Sequence, residues 1–175
     1  MKKSLMSTFT GAHYVVFFLL FVCVFIAYAL HNYAFFEVKE HFSGEVLFRK
    51  PVKVGTVFTL EYVHSVTKQP VYEDYKIEDK RILSMVEMRY DSFGANLPVG
   101  PEKMAEETTG FIVEDGYYKV LYENRKFAKV PLRVGQVVAD HTLVFKDGSK
   151  LRLLDVAEGG AFVEFYVRPL LSLSS

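Results

Sequence analysis

Val57-Phe58-Thr59-Leu60-Glu61-Tyr62-Val63-His64, followed by Pro70-Val71-Tyr72-Glu73-Asp74-Tyr75-Lys76-Ile77, decides the fold. Alternate residues of a strand share a face. Phe58, Leu60, Tyr62 and His64 therefore point one way, and Thr59, Glu61, Val63 and Ser65 the other. On the second run Val71, Glu73, Tyr75 and Ile77 share a face. Both sets are mostly apolar, which is the period-two pattern of half-buried strands. A hairpin over Ser65–Pro70 that pairs 64 with 71 sets Tyr62 opposite Glu73. His64 and Glu73 then become diagonal neighbours within reach of each other. A two-residue register shift keeps these faces, and a one-residue shift breaks them. A turn at Asp79-Lys80 pairs Ile77 with Ile82 and places Glu73 opposite Val86. Met88 and Tyr90 continue that apolar face, while Glu87, Arg89 and Asp91 point away.

Outward from this meander the same pattern recurs. Runs rich in β-branched and aromatic residues predict strands near 45–50, 57–64, 70–77, 81–91, 110–114, 117–125, 129–134, 141–145, 149–156 and 161–168. Asp115-Gly116 and Asp147-Gly148 read as two-residue hairpin turns needing positive φ, and Gly159-Gly160 as another. Met104–Thr108 reads as one short helical turn. The fold class predicted is all-β, an antiparallel β-sandwich or partly open barrel, preceded by one N-terminal transmembrane helix.

That helix is predicted from the apolar run Tyr14–Leu30, which resumes after His31-Asn32 to Phe36. Residues 14–36 would contact membrane lipid. At about 1.5 Å per residue they can cross a hydrocarbon layer of roughly 30 Å. Tyr14, Phe17 and Phe18 at one end, and Tyr33, Phe35 and Phe36 at the other, would mark the interfaces. The expected division is 1–36 as anchor or signal peptide and 37–175 as an extracytoplasmic β-domain. Lys2 and Lys3 favour a cytoplasmic N-terminus. Ala27-Tyr28-Ala29 has the form of a cleavage site, so a cleaved signal, leaving a secreted or periplasmic domain, and a retained single-pass anchor both stay open.

The 175 residues carry 21 basic and 21 acidic side chains. This balance argues against a nucleic-acid partner. The single cysteine, Cys23, lies in the apolar segment, so the domain has neither disulfides nor thiolate metal sites. No phosphate-cradling glycine pattern, zinc-protease motif or nucleophile elbow occurs. No cofactor and no metal is expected, and spacing gives no support for joining His141 to His64 in a metal site. His64 and Ser65 point to opposite faces and cannot form a base–nucleophile pair, so the chain reads as a non-enzyme.

The candidate contact residues are Tyr62, His64, Ser65 and Glu73, with Ser92, Phe93, Gly94, Asn96 and Pro98. A buried carboxylate is costly unless paired, and pairing Glu73 with His64 would favour an imidazolium. Such a cluster reads as a structural network, as a ligand or partner site, or as a hydrolase base, His64, oriented by Glu73, a reading that lacks a nucleophile on the same face. In the run Ser92-Phe93-Gly94-Ala95-Asn96-Leu97-Pro98, Gly94 and Asn96 can both take left-handed backbone geometry. The run reads either as a plain connection or as a contact loop on a rigid scaffold.

The words Leu60-Glu61-Tyr62-Val63-His64-Ser65-Val66, Pro70-Val71-Tyr72-Glu73 and Ser92–Pro98 resemble the domain-of-unknown-function family 1850, over about residues 40–168. The resemblance implies a small bacterial protein with an N-terminal hydrophobic segment, of a kind encoded beside TAXI-type tripartite ATP-independent periplasmic (TRAP) transporters. It implies an accessory role in solute transport, with the TRAP membrane subunit or its solute-binding protein as partner. The alternative is a free-standing ligand-binding β-domain for a small organic acid or amino acid. The resemblance supplies no catalytic residue. Where the family pattern has glycine, this chain has Asn96, which tolerates the same backbone region.

Overall fold

A computed structural model describes residues 11–104 and 107–171. Helix α1 spans Gly11–Asn32. Its side chains are apolar all round, and the stretch His13–Asn32 has a mean hydropathy of 2.5. It is therefore long and apolar enough to cross a membrane. The Asn32 side-chain amide donates to the Tyr28 carbonyl at 2.9 Å, which satisfies a carbonyl left open at the helix end.

The apolar run does not stay helical to Phe36. Strand β1 starts at Tyr33 and runs to Glu40. The boundary expected at 36 thus falls at Asn32, and Tyr33, Phe35 and Phe36 belong to the β-domain. The physical reason is that both faces of β1 are apolar near its start. Ala34, Phe36 and Val38 fill the core with 0% exposure. On the opposite face Phe35 lies beneath the Arg49 and Arg168 guanidiniums, at 5.4 and 6.0 Å.

The remaining strands are β2 Val46–Lys53, β3 Val57–Val63, β4 Pro70–Ile77, β5 Leu83–Tyr90, β6 Lys103–Met104, β7 Glu107–Glu114, β8 Tyr117–Glu123, β9 Lys126–Phe127, β10 Val130–Arg133, β11 Thr142–Phe145, β12 Lys150–Arg152 and β13 Phe162–Pro169. A 3-10 turn, Leu153–Asp155, replaces the end of the strand expected to reach 156. The helical turn expected over Met104–Thr108 is instead a tight β6–β7 hairpin, with Lys103 opposite Thr108 and Met104 opposite Glu107; residues 105 and 106 lie outside the described residues.

All pairings are antiparallel, and they form two sheets that do not close into a barrel. A small sheet has the order β10-β13-β1-β2, and a large one β12-β11-β3-β4-β5-β8-β7-β6, with β9 also on β5. Phe36 of the small sheet meets Phe58 and Phe145 of the large sheet edge-on, at 4.9 and 5.5 Å between ring centres. The expectation of an all-β sandwich is met. Asp115 and Gly116 both have positive φ, as a tight hairpin turn requires, whereas at Asp147-Gly148 only Gly148 does. That connection is a three-residue loop, closed by the Phe145 amide on the Ser149 carbonyl. Gly160 has positive φ, but its turn leads into β13 rather than joining two paired strands.

Strands β3 and β4 keep their predicted faces with a changed register, while the first half of β5 turns its opposite face inward. Tyr62 pairs with Val71 and Leu60 with Glu73, a two-residue shift from the expected pairing. On β5 Ile77 pairs with Leu83 rather than Ile82, and an extra residue, Val86, bulges between the Met85 and Glu87 pairings. The bulge flips the inward set from Leu83 and Met85 to Met88 and Tyr90, so Glu73 faces Met88 rather than Val86.

On the outer face of the small sheet two carboxylates are buried under cations. Glu37 accepts from Arg49 Nε at 2.6 Å and Arg168 Nε at 2.7 Å, with Lys39 Nζ 3.3 Å away. Glu164 accepts from Lys129 Nζ at 2.6 Å, from His41 Nδ1 at 2.8 Å and from the Tyr166 hydroxyl. Burial alone pushes the Glu164 carboxyl up, but its bonds to Lys129, Tyr166 and His41 outweigh that and hold it at about 2. A depressed carboxyl stabilises the fold above its unfolded pKa, and that share is lost as pH falls through the folded value. Denaturation of the full chain followed between pH 4.5 and 2 should therefore show wild type losing more stability than Glu164→Gln. Parallel curves would mean that this network contributes nothing to folding.

Candidate functional site

Strands of eight residues are about 26 Å long, so the sandwich has two well-separated ends. The chain enters the domain at Tyr33. At that end lie the start of β3, the end of β4 and the β11–β12 turn. The opposite, distal end gathers the β3–β4 turn, the 92–98 loop and the 135–141 loop.

His64 organises the distal end. It follows β3, and its backbone N–H still bonds to the Gln69 carbonyl at 2.8 Å. The imidazole then turns into the domain and is buried. Its Nδ1 accepts the backbone N–H groups of Val66 at 3.3 Å and Thr67 at 3.2 Å. An acceptor Nδ1 leaves the proton on Nε2, which donates to the Ala95 carbonyl at 3.0 Å. The ring is therefore the neutral tautomer, not the expected imidazolium.

The same ring explains Gly94. A Cβ there would sit 2.7 Å from His64 Cε1 and 3.0 Å from Nε2. Gly94 is required for close approach of the ring, not for left-handed geometry. Asn96 does adopt that geometry, with φ of 66°, in a turn closed by the Leu97 N–H on the Gly94 carbonyl at 3.2 Å. Beyond it the Pro98 carbonyl accepts the Tyr90 hydroxyl. Phe93 stacks on Tyr118 at 4.1 Å between ring centres, and Ser92 Oγ donates to Asp91 at 3.0 Å. Glu102 and Thr109 exchange further bonds. Residues 92–102 thus lie along the inner face of β5, β8 and β7 and help to bury Leu97 and Tyr90.

Glu73 is not His64's partner. The two-residue shift sets Glu73 opposite Leu60, about 13 Å along the strand from His64. Its carboxylate instead accepts the hydroxyls of Tyr62 at 2.9 Å and Tyr75 at 2.8 Å. Burial raises the Glu73 pKa, while the two tyrosine bonds and the Arg125 charge pull it part of the way back. Burial, then the Glu73 charge, raises both tyrosine pKa values, so both hydroxyls stay protonated as donors.

Tyr62 links this cluster to the distal end, since its ring lies 5.2 Å from that of His141. A cleft of about 220 Å³ is lined by Tyr62, His64, Ser65 and Asn96, with Ala139 and His141 among its other walls. Four of the predicted site residues thus share one cleft, whereas Glu73 is not among its lining residues. His141 was assigned no role by sequence spacing. It is buried, which lowers its pKa, and its Nδ1 accepts the Gly135 N–H at 3.1 Å. No group of three or more metal-ligating side chains occurs among the described residues. The loops around the cleft are tied together, since the Val63 N–H bonds to the Ala139 carbonyl at 2.9 Å. Their outer surface carries exposed apolar side chains, Val66 at 70%, Val137 at 86% and Phe93 at 46%, among exposed polar ones such as Lys68, Gln69, Asn96 and Gln136.

Two antiparallel sheets with tied loops at one end define the class as an all-β domain. The chain belongs to the family described as Domain of unknown function (DUF1850), which matches residues 58–151, the span from β3 into β12. No curated protein and no solved structure matches it.

Glu73→Ala would leave two tyrosine hydroxyls without their acceptor, at a cost of about 1–3 kcal/mol. Glu73→Gln keeps an acceptor and removes a charge that burial disfavours. Relative to Glu73→Gln, wild type should gain stability as pH falls from 7 towards 4.5, the sign set by a raised carboxyl pKa. Urea unfolding of the three proteins measures this. A loss under about 0.5 kcal/mol for Glu73→Ala, the range of ordinary surface changes, would contradict the cluster.

Proposed function

We propose that this protein is a non-enzymatic accessory protein of a TAXI-type TRAP solute transporter, tethered by α1 with its N-terminus cytoplasmic and its β-domain extracytoplasmic. The distal end docks on the transporter's membrane subunit or on its solute-binding protein. The observation that carries the docking surface is the coincidence of three tied loops, three exposed apolar side chains and a polar cleft at the end opposite Tyr33. Single exposed apolar residues are ordinary, but a group of them on a braced loop end is the composition of a contact surface. The transporter itself comes from the resemblance of residues 60–98 to the family, whose members are encoded beside TAXI-type systems. A chain entering the domain at Tyr33 leaves the distal loops at the far end of the strands, free to meet a neighbour.

A second reading, a free-standing ligand-binding domain for a small organic acid or amino acid, is favoured by the cleft. With Nδ1 occupied as an acceptor, the neutral His141 carries its proton on Nε2, and that donor has no hydrogen-bond partner among the described residues. A carboxylate ligand would accept it. The cleft, about 220 Å³, suits a molecule the size of a small organic acid or amino acid.

Affinity capture of the full-length chain from membranes that also contain a TAXI-type transporter separates the two. The docking reading expects the membrane subunit or solute-binding protein to co-purify with wild type, and at least tenfold less of it with Val66→Asp/Val137→Asp. Normal solute uptake after deletion of the gene, with thermal stabilisation of the isolated protein by an organic acid or amino acid, would select the ligand reading instead.

A further inference from the structure

The chain-entry end of the sandwich holds a second and larger cavity, of about 360 Å³, between the two sheets. Its lining includes Val52 of β2, Phe58 of β3, Ile77 of β4 and Phe145 of β11, all of them core residues. Lys50, Lys53, Lys146 and Asp147 supply its charged groups. Lys50 is already engaged. Its Nζ lies 2.8 Å from Asp147 and 5.4 Å from the centre of the Phe145 ring.

Lys53 and Lys146 are different. Both are exposed, and neither has a carboxylate partner among the described residues. One aspartate against three lysines leaves the cavity with uncompensated positive charge beside an apolar wall. A cavity that served only to close the sandwich would need no such excess. Its charge and lining are complementary to a molecule with an anionic head and an apolar body. The volume lies at the lower end of the roughly 300–1,000 Å³ usual for small-molecule sites. That restricts the body to one aromatic ring or a short acyl chain.

We propose that this cavity binds a small amphipathic anion. The carboxylate or phosphate head sits between Lys53 and Lys146, and the body packs against Phe58, Ile77 and Phe145. The proposal is independent of the docking end, which shares none of these residues. The anion has two candidate sources: a free organic carboxylate, or the head and first acyl carbons of an anionic lipid. Tyr33, the first residue of β1, also lines the cavity.

The test uses the full chain in phosphatidylcholine nanodiscs, titrated with 3-phenylpropionate, with the Ile77 methyl resonance as reporter. A saturable shift is expected. The neutral 3-phenylpropanamide should bind at least tenfold more weakly, and Lys53→Ala/Lys146→Ala should weaken the carboxylate at least tenfold. Both lysines are exposed, so the double variant is expected to fold, and an unchanged amide spectrum in the core strands checks that. In phosphatidylglycerol nanodiscs, suppression of 3-phenylpropionate binding would assign the site to lipid, and unaltered binding would assign it to the free carboxylate; both agree with the proposal. Absence of a saturable shift in phosphatidylcholine, or equal affinity for the amide or in the double variant, would overturn it.

Discussion

One imidazole ring sets the form of the distal end. His64 offers Nδ1 to two backbone N–H groups of its own turn and Nε2–H to a carbonyl 31 residues away. Each atom of this arrangement depends on the neutral tautomer, and the ring's position depends on the bare backbone of Gly94. Buried polar groups are tolerable only when bonded. Here a single side chain satisfies three backbone groups at once and fixes the β3–β4 turn against the 92–98 loop. The loop in turn runs along the inner face of β5, β8 and β7. Removing the ring would therefore release more than one contact, because among the described residues no other hydrogen bond joins the turn to the loop.

The rest of the domain separates its charges by the same logic. On the outer face of the small sheet Arg49 of β2 and Arg168 of β13 hold Glu37 of β1 ionised, and Lys129 and His41, outside the strands, do the same for Glu164. On the inner face of the large sheet Glu73 has tyrosine hydroxyls in place of a close cation, and burial pushes its pKa up rather than down. The first arrangement stabilises a pairing of strands. The second fixes Tyr62, whose ring forms part of the distal cleft beside His141. The distal end therefore rests on strands whose inward polar groups are bonded to one another.

Much of this was legible in the sequence. Alternation along Val57–Ile77 gave the right faces, and a two-residue shift could not disturb them. The register itself was not legible. It depends on how many residues the turn consumes, and His64 leaves the strand to brace that turn rather than extending the ladder to Val71. The His64–Glu73 pairing failed for that reason alone. Strand β1 was hidden because Tyr33–Phe36 continues the apolarity of α1 without a break other than His31-Asn32. The bulge at Val86 carries no glycine or proline to announce it. His64 and the Ser92–Pro98 run were each singled out, but their contact spans 31 residues and no local pattern encodes it. In the sequence Gly94 looks like a conformational glycine, whereas its constraint, a ring lying on it, exists only in three dimensions. His141 had no signal at all, since a lone histidine before a strand reads as an ordinary boundary residue.

The imidazole and Gly94 form one unit. A double-mutant cycle on the stability of the full chain, with Gly94→Ala, His64→Ala and the pair, tests it most directly. Gly94→Ala should destabilise the wild-type background by about 1–3 kcal/mol, as overpacking does. In the His64→Ala background it should be nearly neutral, giving a coupling of about 0.5–3 kcal/mol, the range for residues in contact. Additive penalties from the two substitutions would contradict the account.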